Sequence, residues 1–185
     1  TTGDLMWDSQ NRTGQSGSFT RWDGLSSTDS ILAKNDTSYE VFNFISEVRS
    51  NYPAATISGG SEWYLPAMDE LELMYRNLNP NTADNLTGNS TYTFPGSQDY
   101  GVNTSSDPTS TAYTTSDPSQ TSVTAFKMGG SEAIDLTYYW ASTDADESGR
   151  AWFQGFTASG TEGGQGARLK DTTGGSVRPV RRVVL

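Results

Sequence analysis

Acidic side chains carry most of the chemistry that this chain of 185 residues could perform, because it contains 22 Asp and Glu residues, no histidine and no cysteine. Those two absences exclude Ser-His-Asp and Cys-His catalysis, zinc sites with His or Cys ligands, and disulfide bonds. Any metal bound by this chain would have to be a hard ion, such as Ca²⁺ or Mg²⁺, held by oxygen ligands.

One group of carboxylates has a spacing that could hold such an ion. Asp144, Asp146 and Glu147 place three carboxylates within four residues. Ca²⁺ requires several oxygen ligands, but an EF-hand spacing is absent, so a solvated acidic turn is the favoured interpretation and Ca²⁺ is the alternative. Carboxylate pairs such as Glu70 with Glu72, or Asp144 with Glu147, could also serve a glycosidase.

Three tryptophans, Trp63, Trp140 and Trp152, are candidates for a sugar-binding platform, because aromatic rings pack well against the apolar faces of sugars. The alternative, which we favour, is that they are core residues. A chain with 48 Ser and Thr but only 30 Leu, Ile, Val and Phe needs other large side chains to fill its interior.

A glycine-rich stretch of small residues, 157–176, is the segment best suited to a ligand surface. Its small residues leave concave space, while its polar side chains supply hydrogen-bond donors and acceptors. The alternative is an ordinary flexible loop. The candidate ligand-binding residues in and next to this stretch are Phe153, Gln154, Phe156, Thr157, Ser159, Thr161, Glu162, Gln165, Arg168 and Lys170.

Charge and hydropathy exclude two classes of partner. The net charge of −10 argues against a nucleic-acid-binding protein, which would carry a basic face. No apolar run approaches about 18 residues, so we expect no membrane-spanning helix. The C-terminal residues 166–185 are locally basic, which could indicate a phosphate- or heparin-binding patch. Their alternation with valines favours an edge or terminal strand whose arginines reach solvent.

The elements that must position these residues form an α+β pattern. Thr37 and Glu40 have the spacing of a capping box, and Pro66 suits the first turn of another helix. The predicted order is short strands and turns over 3–33, helices over 37–50 and 66–78, a polar loop over 81–122, and strands over 138–143, 151–156 and 177–183.

Four motifs follow one another along the chain over residues 60–183. They are Trp63-Tyr64-Leu65-Pro66 with Glu70-Leu71, Tyr139-Trp140-Ala141-Ser142-Thr143, Ala151-Trp152-Phe153, and Val177-Arg178-Pro179-Val180-Arg181. In order and spacing they resemble the Legionella collagen-like adhesin C-terminal domain family. The resemblance implies a C-type-lectin-like fold, in which two helices flank a small, twisted, mainly antiparallel sheet with long polar loops, and a display segment at 153–176. The length predicts one domain over 1–185, with the polar loop over 81–122 as an insertion.

The resemblance implies a receptor-binding domain at the tip of a bacteriophage fibre or cell-surface adhesin. Such a domain would recognise a host-surface glycan or protein through the display segment, without catalytic residues or a required cofactor. The expected setting is a virion or cell surface, and the expected state is a homo-oligomer, a trimer if the protein is a fibre. The alternatives are a structural subunit-contact domain of a virion or extracellular filament, and a carbohydrate-active enzyme.

Overall fold

The computed structural model describes residues 2–13, 20–54, 60–85, 99–100, 113–145, 149–156 and 164–183. Within these ranges it contains three α-helices and six β-strands, which confirms the predicted α+β class. The helices are α1 (Gly24–Leu32), α2 (Glu40–Asn51) and α3 (Met68–Leu78). The strands are β1 (Thr2–Leu5), β2 (Asp99–Tyr100), β3 (Tyr138–Asp144), β4 (Arg150–Gly155), β5 (Gly164–Leu169) and β6 (Gly175–Val177).

The described strands form a mixed sheet in the order β1-β6-β3-β4-β5-β2. Neighbours are antiparallel except for β3 and β6, which run parallel where Tyr139 pairs with Ser176. The most regular ladder joins β4 to β5, from Arg150 opposite Leu169 to Gln154 opposite Gln165. The centre of the sheet is therefore built from the Tyr-Trp and Ala-Trp-Phe motifs.

Both faces of the central strands are buried. On one face, Trp140, Ala151 and Phe153 pack with side chains of α1 and α2 in a first core cluster. On the other face, Trp152 and Phe156 pack with side chains of α3 in a second cluster. Because successive side chains of a strand point to opposite faces, the uninterrupted apolar runs of β3 and β4 supply both clusters.

Two buried indoles attach the N-terminal segment to the sheet. Trp7 Nε1 donates to the carbonyl oxygen of Ala141 at 2.8 Å, and Trp140 Nε1 donates to that of Leu5 at 3.2 Å. The ring of Trp7 also packs edge-on against Phe42, with 5.1 Å between centroids. Large aromatic side chains thus supply core volume, and the N–H groups of both indoles have acceptors in the interior.

The predicted helix over 37–50 begins later than expected, at Glu40, and the Thr37–Glu40 capping box is not formed. Instead, the Glu40 carboxylate accepts a hydrogen bond from the backbone N–H of Met6 at 2.9 Å. A hydrogen bond to the N-terminal segment therefore takes the place of the predicted bond within the capping box. The helix predicted over 66–78 is confirmed as α3, whose first residue is Met68.

The prediction of strands and turns over residues 3–33 is wrong for its second half, where α1 forms. Asp23 caps this helix by accepting a hydrogen bond from the N–H of Ser26 at 3.1 Å. The Ser and Thr residues of α1 have low helix propensity, so local sequence gave little indication of a helix. Burial of Ser27, Thr28 and Ile31 against the rest of the molecule stabilises it.

The C-terminal third also differs from expectation in two places. The strand predicted over 177–183 is a regular strand only up to Val177, beyond which isolated bridges join Val180 to Tyr64 and Val183 to Gly60. The glycine-rich part of the predicted display segment contains the regular strand β5. Glycine lowers strand propensity but does not prevent a strand from pairing with a well-formed neighbour.

Candidate functional site

A surface groove of about 760 Å³ lies between α2 and the C-terminal segment. Its volume is within the range of small-ligand sites in proteins. Six of its eight described lining residues have apolar or aromatic side chains, and the other two supply one carboxylate and one guanidinium. The lining residues are Phe44, Val48, Tyr52, Trp63, Glu132, Val177, Arg178 and Pro179.

Trp63 is held in this groove by three contacts. Its Nε1 donates to the carbonyl oxygen of Tyr52 at 3.0 Å, and its own carbonyl oxygen accepts from Arg49 Nε at 2.6 Å. The guanidinium of Arg181 lies over the indole, 4.6 Å from the ring centroid. A side chain fixed in this way loses little conformational freedom when a ligand packs against it.

Tyr52 supplies the most exposed ring of the groove, with 62% of its surface accessible. It follows the last turn of α2, where its N–H bonds to the carbonyl oxygen of Val48 at 2.8 Å, and Pro53 comes next. The backbone of Tyr52 is therefore ordered by the helix end while its phenol ring remains free to contact a ligand.

The charged pair of the groove is loosely held. Arg178 Nη2 lies 3.7 Å from Glu132 Oε2, and the Glu132 side chain is largely exposed. Exposed ion pairs of this kind contribute about 0–1 kcal/mol, so a ligand can replace either partner at little cost. Aromatic rings beside a carboxylate and a guanidinium suit a ligand with apolar faces and polar edges.

The structure places half of the predicted ligand-binding residues in the interior. Thr157, Ser159, Thr161 and Glu162 lie outside the described residues, and Arg168 is partly exposed, 4.7 Å from the Tyr138 ring centroid. The buried ones are Phe153, Gln154, Phe156, Gln165 and Lys170.

These five residues have structural roles because the central strands are covered on both faces. Phe156 packs edge-on against Tyr75 and Tyr139, and Gln165 Nε2 donates to the carbonyl oxygen of Met68 at 3.3 Å. None of the five presents an exposed contact surface. The prediction that segment 153–176 displays ligand contacts thus keeps only Arg168 among its described candidates.

Asp144, the first residue of the Ca²⁺ candidate, is buried and paired with an ammonium group. Lys170 Nζ lies 2.8 Å from Asp144 Oδ2, also donates to the carbonyl oxygen of Arg12 at 2.8 Å, and lies 4.9 Å from the centroid of the Trp7 ring. This contact gives Asp144 a cationic partner from the chain itself. Asp146 and Glu147 lie outside the described residues, within which no group of three or more potential metal ligands occurs.

Glu70 and Glu72 both bind other groups of the chain, and Glu72 does so through a salt bridge from its Oε1 to Arg76 at 2.8 Å. Glu70 accepts hydrogen bonds from the Tyr64 hydroxyl, from Arg182 and from the N–H groups of Gly24 and Ala67. Burial, followed by the negative charge of Glu70, raises the pKa of Tyr64 above its usual range. Glu70 therefore connects α1, α3 and the C-terminal segment.

The three candidate tryptophans of the sugar platform differ in environment. Trp140 and Trp152 are buried in the two core clusters, as the core interpretation predicts. Trp63 is only partly buried and lines the groove. Sequence reasoning missed Tyr52, Glu132 and Arg178 as its neighbours. The feature of the sequence that could have indicated this groove is Tyr52, a large aromatic residue between the end of a predicted helix and a proline.

Comparison of the chain with protein-family models, with curated proteins and with solved structures found no match. Within the described residues, no helix combines the length and the apolar character needed to cross a membrane.

Proposed function

We propose that this chain is a non-enzymatic receptor-binding domain with a C-type-lectin-like fold, carried by a bacteriophage fibre or a cell-surface adhesin. Its ligand is a glycan or protein of the host surface. The groove of Tyr52 and Trp63 carries the proposal, because it combines an exposed aromatic ring, a fixed indole and two loosely paired charges. The resemblance in motif order to the Legionella collagen-like adhesin C-terminal domain family supports the same function.

The groove suits recognition because its aromatic residues need little ordering on binding. Rigid aromatic anchors surrounded by adaptable polar contacts are typical of protein surfaces that bind other molecules. Binding at one groove would be weak, and a homo-oligomer, a trimer in a fibre, would multiply it through avidity.

Replacing Tyr52 by alanine tests this proposal. Tyr52→Ala removes the exposed ring but keeps the carbonyl group that accepts from Trp63, so we expect the fold to persist. We expect at least tenfold weaker adsorption of the isolated chain to host cells or to its ligand on a glycan array, equivalent to about 1.4 kcal/mol. Thermal melting followed by circular dichroism checks the fold of the variant.

Trp22→Ala is the matched control, because Trp22 is 59% exposed and does not line the groove. Equal adsorption by Tyr52→Ala and the wild type would contradict the assignment of the site. If Arg168→Ala lost adsorption while Tyr52→Ala kept it, the binding site would lie at β5 instead of the groove. Failure of the wild-type chain to bind any host surface would contradict receptor binding itself and favour the subunit-contact alternative.

A further inference from the structure

A second, smaller pocket of about 300 Å³ lies where the chain leaves α3 and meets the segment around Pro118. Its floor contains the buried residues Asn79, Asn81 and Pro118, and its rim contains the exposed Thr82 and Asp84, together with Ser116 and Ser119. Buried polar side chains beneath an exposed polar rim distinguish this pocket from the aromatic groove.

Asn81 has an amide donor without a partner at this floor. The side chain is 4% exposed, and its Oδ1 accepts from the backbone N–H of Ala83 at 2.7 Å, which fixes the orientation of the amide. In the part of the chain that the structure describes, Asn81 Nδ2 is buried and has no acceptor. A buried donor without an acceptor is energetically unfavourable, so a molecule that supplies an acceptor here would be bound favourably.

Bonds to other groups hold the neighbouring amides, and within the described residues neither of them accepts from Asn81 Nδ2. Asn79 Oδ1 accepts from the N–H of Asn81 at 3.2 Å, and Asn79 Nδ2 donates to the carbonyl oxygen of Pro118 at 3.3 Å. Gln120 Nε2 donates to the carbonyl oxygen of Pro80 at 2.8 Å. These bonds hold the walls of the pocket in place, so an incoming molecule meets a formed site.

The lining defines the chemistry of that molecule. Hydroxyl groups of Thr82, Ser116 and Ser119 both donate and accept hydrogen bonds, and the Asp84 carboxylate accepts from hydroxyl groups and repels anions. No aromatic ring or cation lines the described walls, and the volume is at the lower end for ligand sites. We propose that this pocket binds a single neutral sugar residue, with Asn81 Nδ2 donating to one of its oxygens.

Asn81→Asp is the discriminating variant. It keeps an oxygen for the N–H of Ala83 but replaces the Nδ2 donor by an acceptor. Ligand-observed saturation-transfer NMR and titration of the whole chain with glucose, galactose, mannose and N-acetylglucosamine should reveal binding of at least one sugar. We expect Asn81→Asp to weaken that binding at least tenfold.

Asn77→Asp is the control, because it makes the same change of charge at an exposed position of α3 outside the pocket. It should leave sugar binding unaltered. The tenfold loss caused by Asn81→Asp should also appear when both variants carry Tyr52→Ala, which assigns the loss to the pocket rather than to the groove. Methyl glycosides of the same sugars distinguish the terminal residue of a glycan from a free sugar. Absence of binding by every sugar, or equal binding by Asn81→Asp and the wild type, would overturn the proposal.

Discussion

Some individual side chains in this molecule hold together segments that are far apart in the sequence. Arg12 is the clearest case, since its guanidinium binds Asp8 and Asp36 and lies 4.4 Å from the centroid of the Tyr39 ring. Hydrogen bonds from Arg12, and then from Ser38, hold the pKa of Asp36 well below its usual range. The charged form of Asp36 is therefore favoured in the folded state.

Asp36→Asn should change the acid stability of the protein in a defined direction. A carboxyl group with a lowered pKa stabilises the fold above its unfolded pKa of about 3.9, and this contribution is lost as the pH falls towards the folded value. The melting temperatures of the wild type and the variant should thus differ most near pH 7. Their difference should shrink below about pH 4 in melts followed by circular dichroism.

The exposed Asp171 offers a control, because it has no ion pair among the described residues. Asp171→Asn should leave the melting temperature close to that of the wild type at both ends of the pH range. A difference between Asp36→Asn and the wild type that stays constant down to pH 2 would show that Asp36 contributes through its shape rather than its charge.

At the scale of elements, the close approach of α1 to the Trp-Tyr-Leu-Pro segment depends on a glycine. A Cβ atom added at Gly24 would lie 2.5 Å from the carbonyl oxygen of Leu65 and 2.6 Å from the nitrogen of Ala67. Both of these are backbone atoms, which cannot move aside as a flexible side chain could. The segment that contributes Trp63 to the groove is therefore packed directly against the start of α1.

We expect Gly24→Ala to destabilise the protein by about 1–3 kcal/mol, the usual cost of overpacking a well-filled site. Urea unfolding followed by tryptophan fluorescence measures this change. Ser30→Ala on the same helix is exposed and should have little effect. If the two variants were equally stable, the contact between α1 and this segment would have to be adaptable rather than tight.

Element prediction from sequence was successful where periodicity or an apolar run was strong, and it failed where distant partners decided the conformation. The apolar stripe of Leu71, Met74, Tyr75 and Leu78 predicted α3, and the apolar runs at the start of the two predicted strands predicted β3 and β4. In those runs apolar residues do not alternate with polar ones, and this pattern indicates that both faces of the sheet are buried. Strand β5 was missed because its regularity comes from pairing with β4, not from its own residues.

At the scale of the whole molecule, a buried ion pair lies where the N-terminal segment meets the ends of β3 and β5. Lys170 and Asp144 are 1% and 0% exposed, and Lys170 Nζ also binds the carbonyl oxygen of Arg12. The backbone of Lys170 adds a bond from the N–H of Asp8 at 3.1 Å. The N-terminal segment, the end of β3 and the end of β5 therefore meet at one ammonium group.

Lys170→Met should destabilise the fold by about 3–5 kcal/mol, because it leaves the Asp144 carboxylate buried without its cation. The double variant Lys170→Met with Asp144→Asn should recover part of this loss, because the remaining group is then neutral. Urea unfolding at pH 7 gives both values. Lys34→Met, at an exposed lysine, controls for the loss of one charge. If the double variant lost as much stability as the two single variants together, the two side chains would not be energetically coupled.

The sequence alone determined the α+β class, the helix α3, the central strands and the exclusion of histidine and cysteine chemistry. These features depend on composition or on the periodicity of neighbouring residues, which is local information. Only the tertiary structure decided that Phe156 and Lys170 are interior and that Tyr52, Trp63 and Arg178 line one groove. Burial and proximity depend on which distant segments pack together, and in this chain backbone hydrogen bonds and two-sided burial of the sheet set that packing.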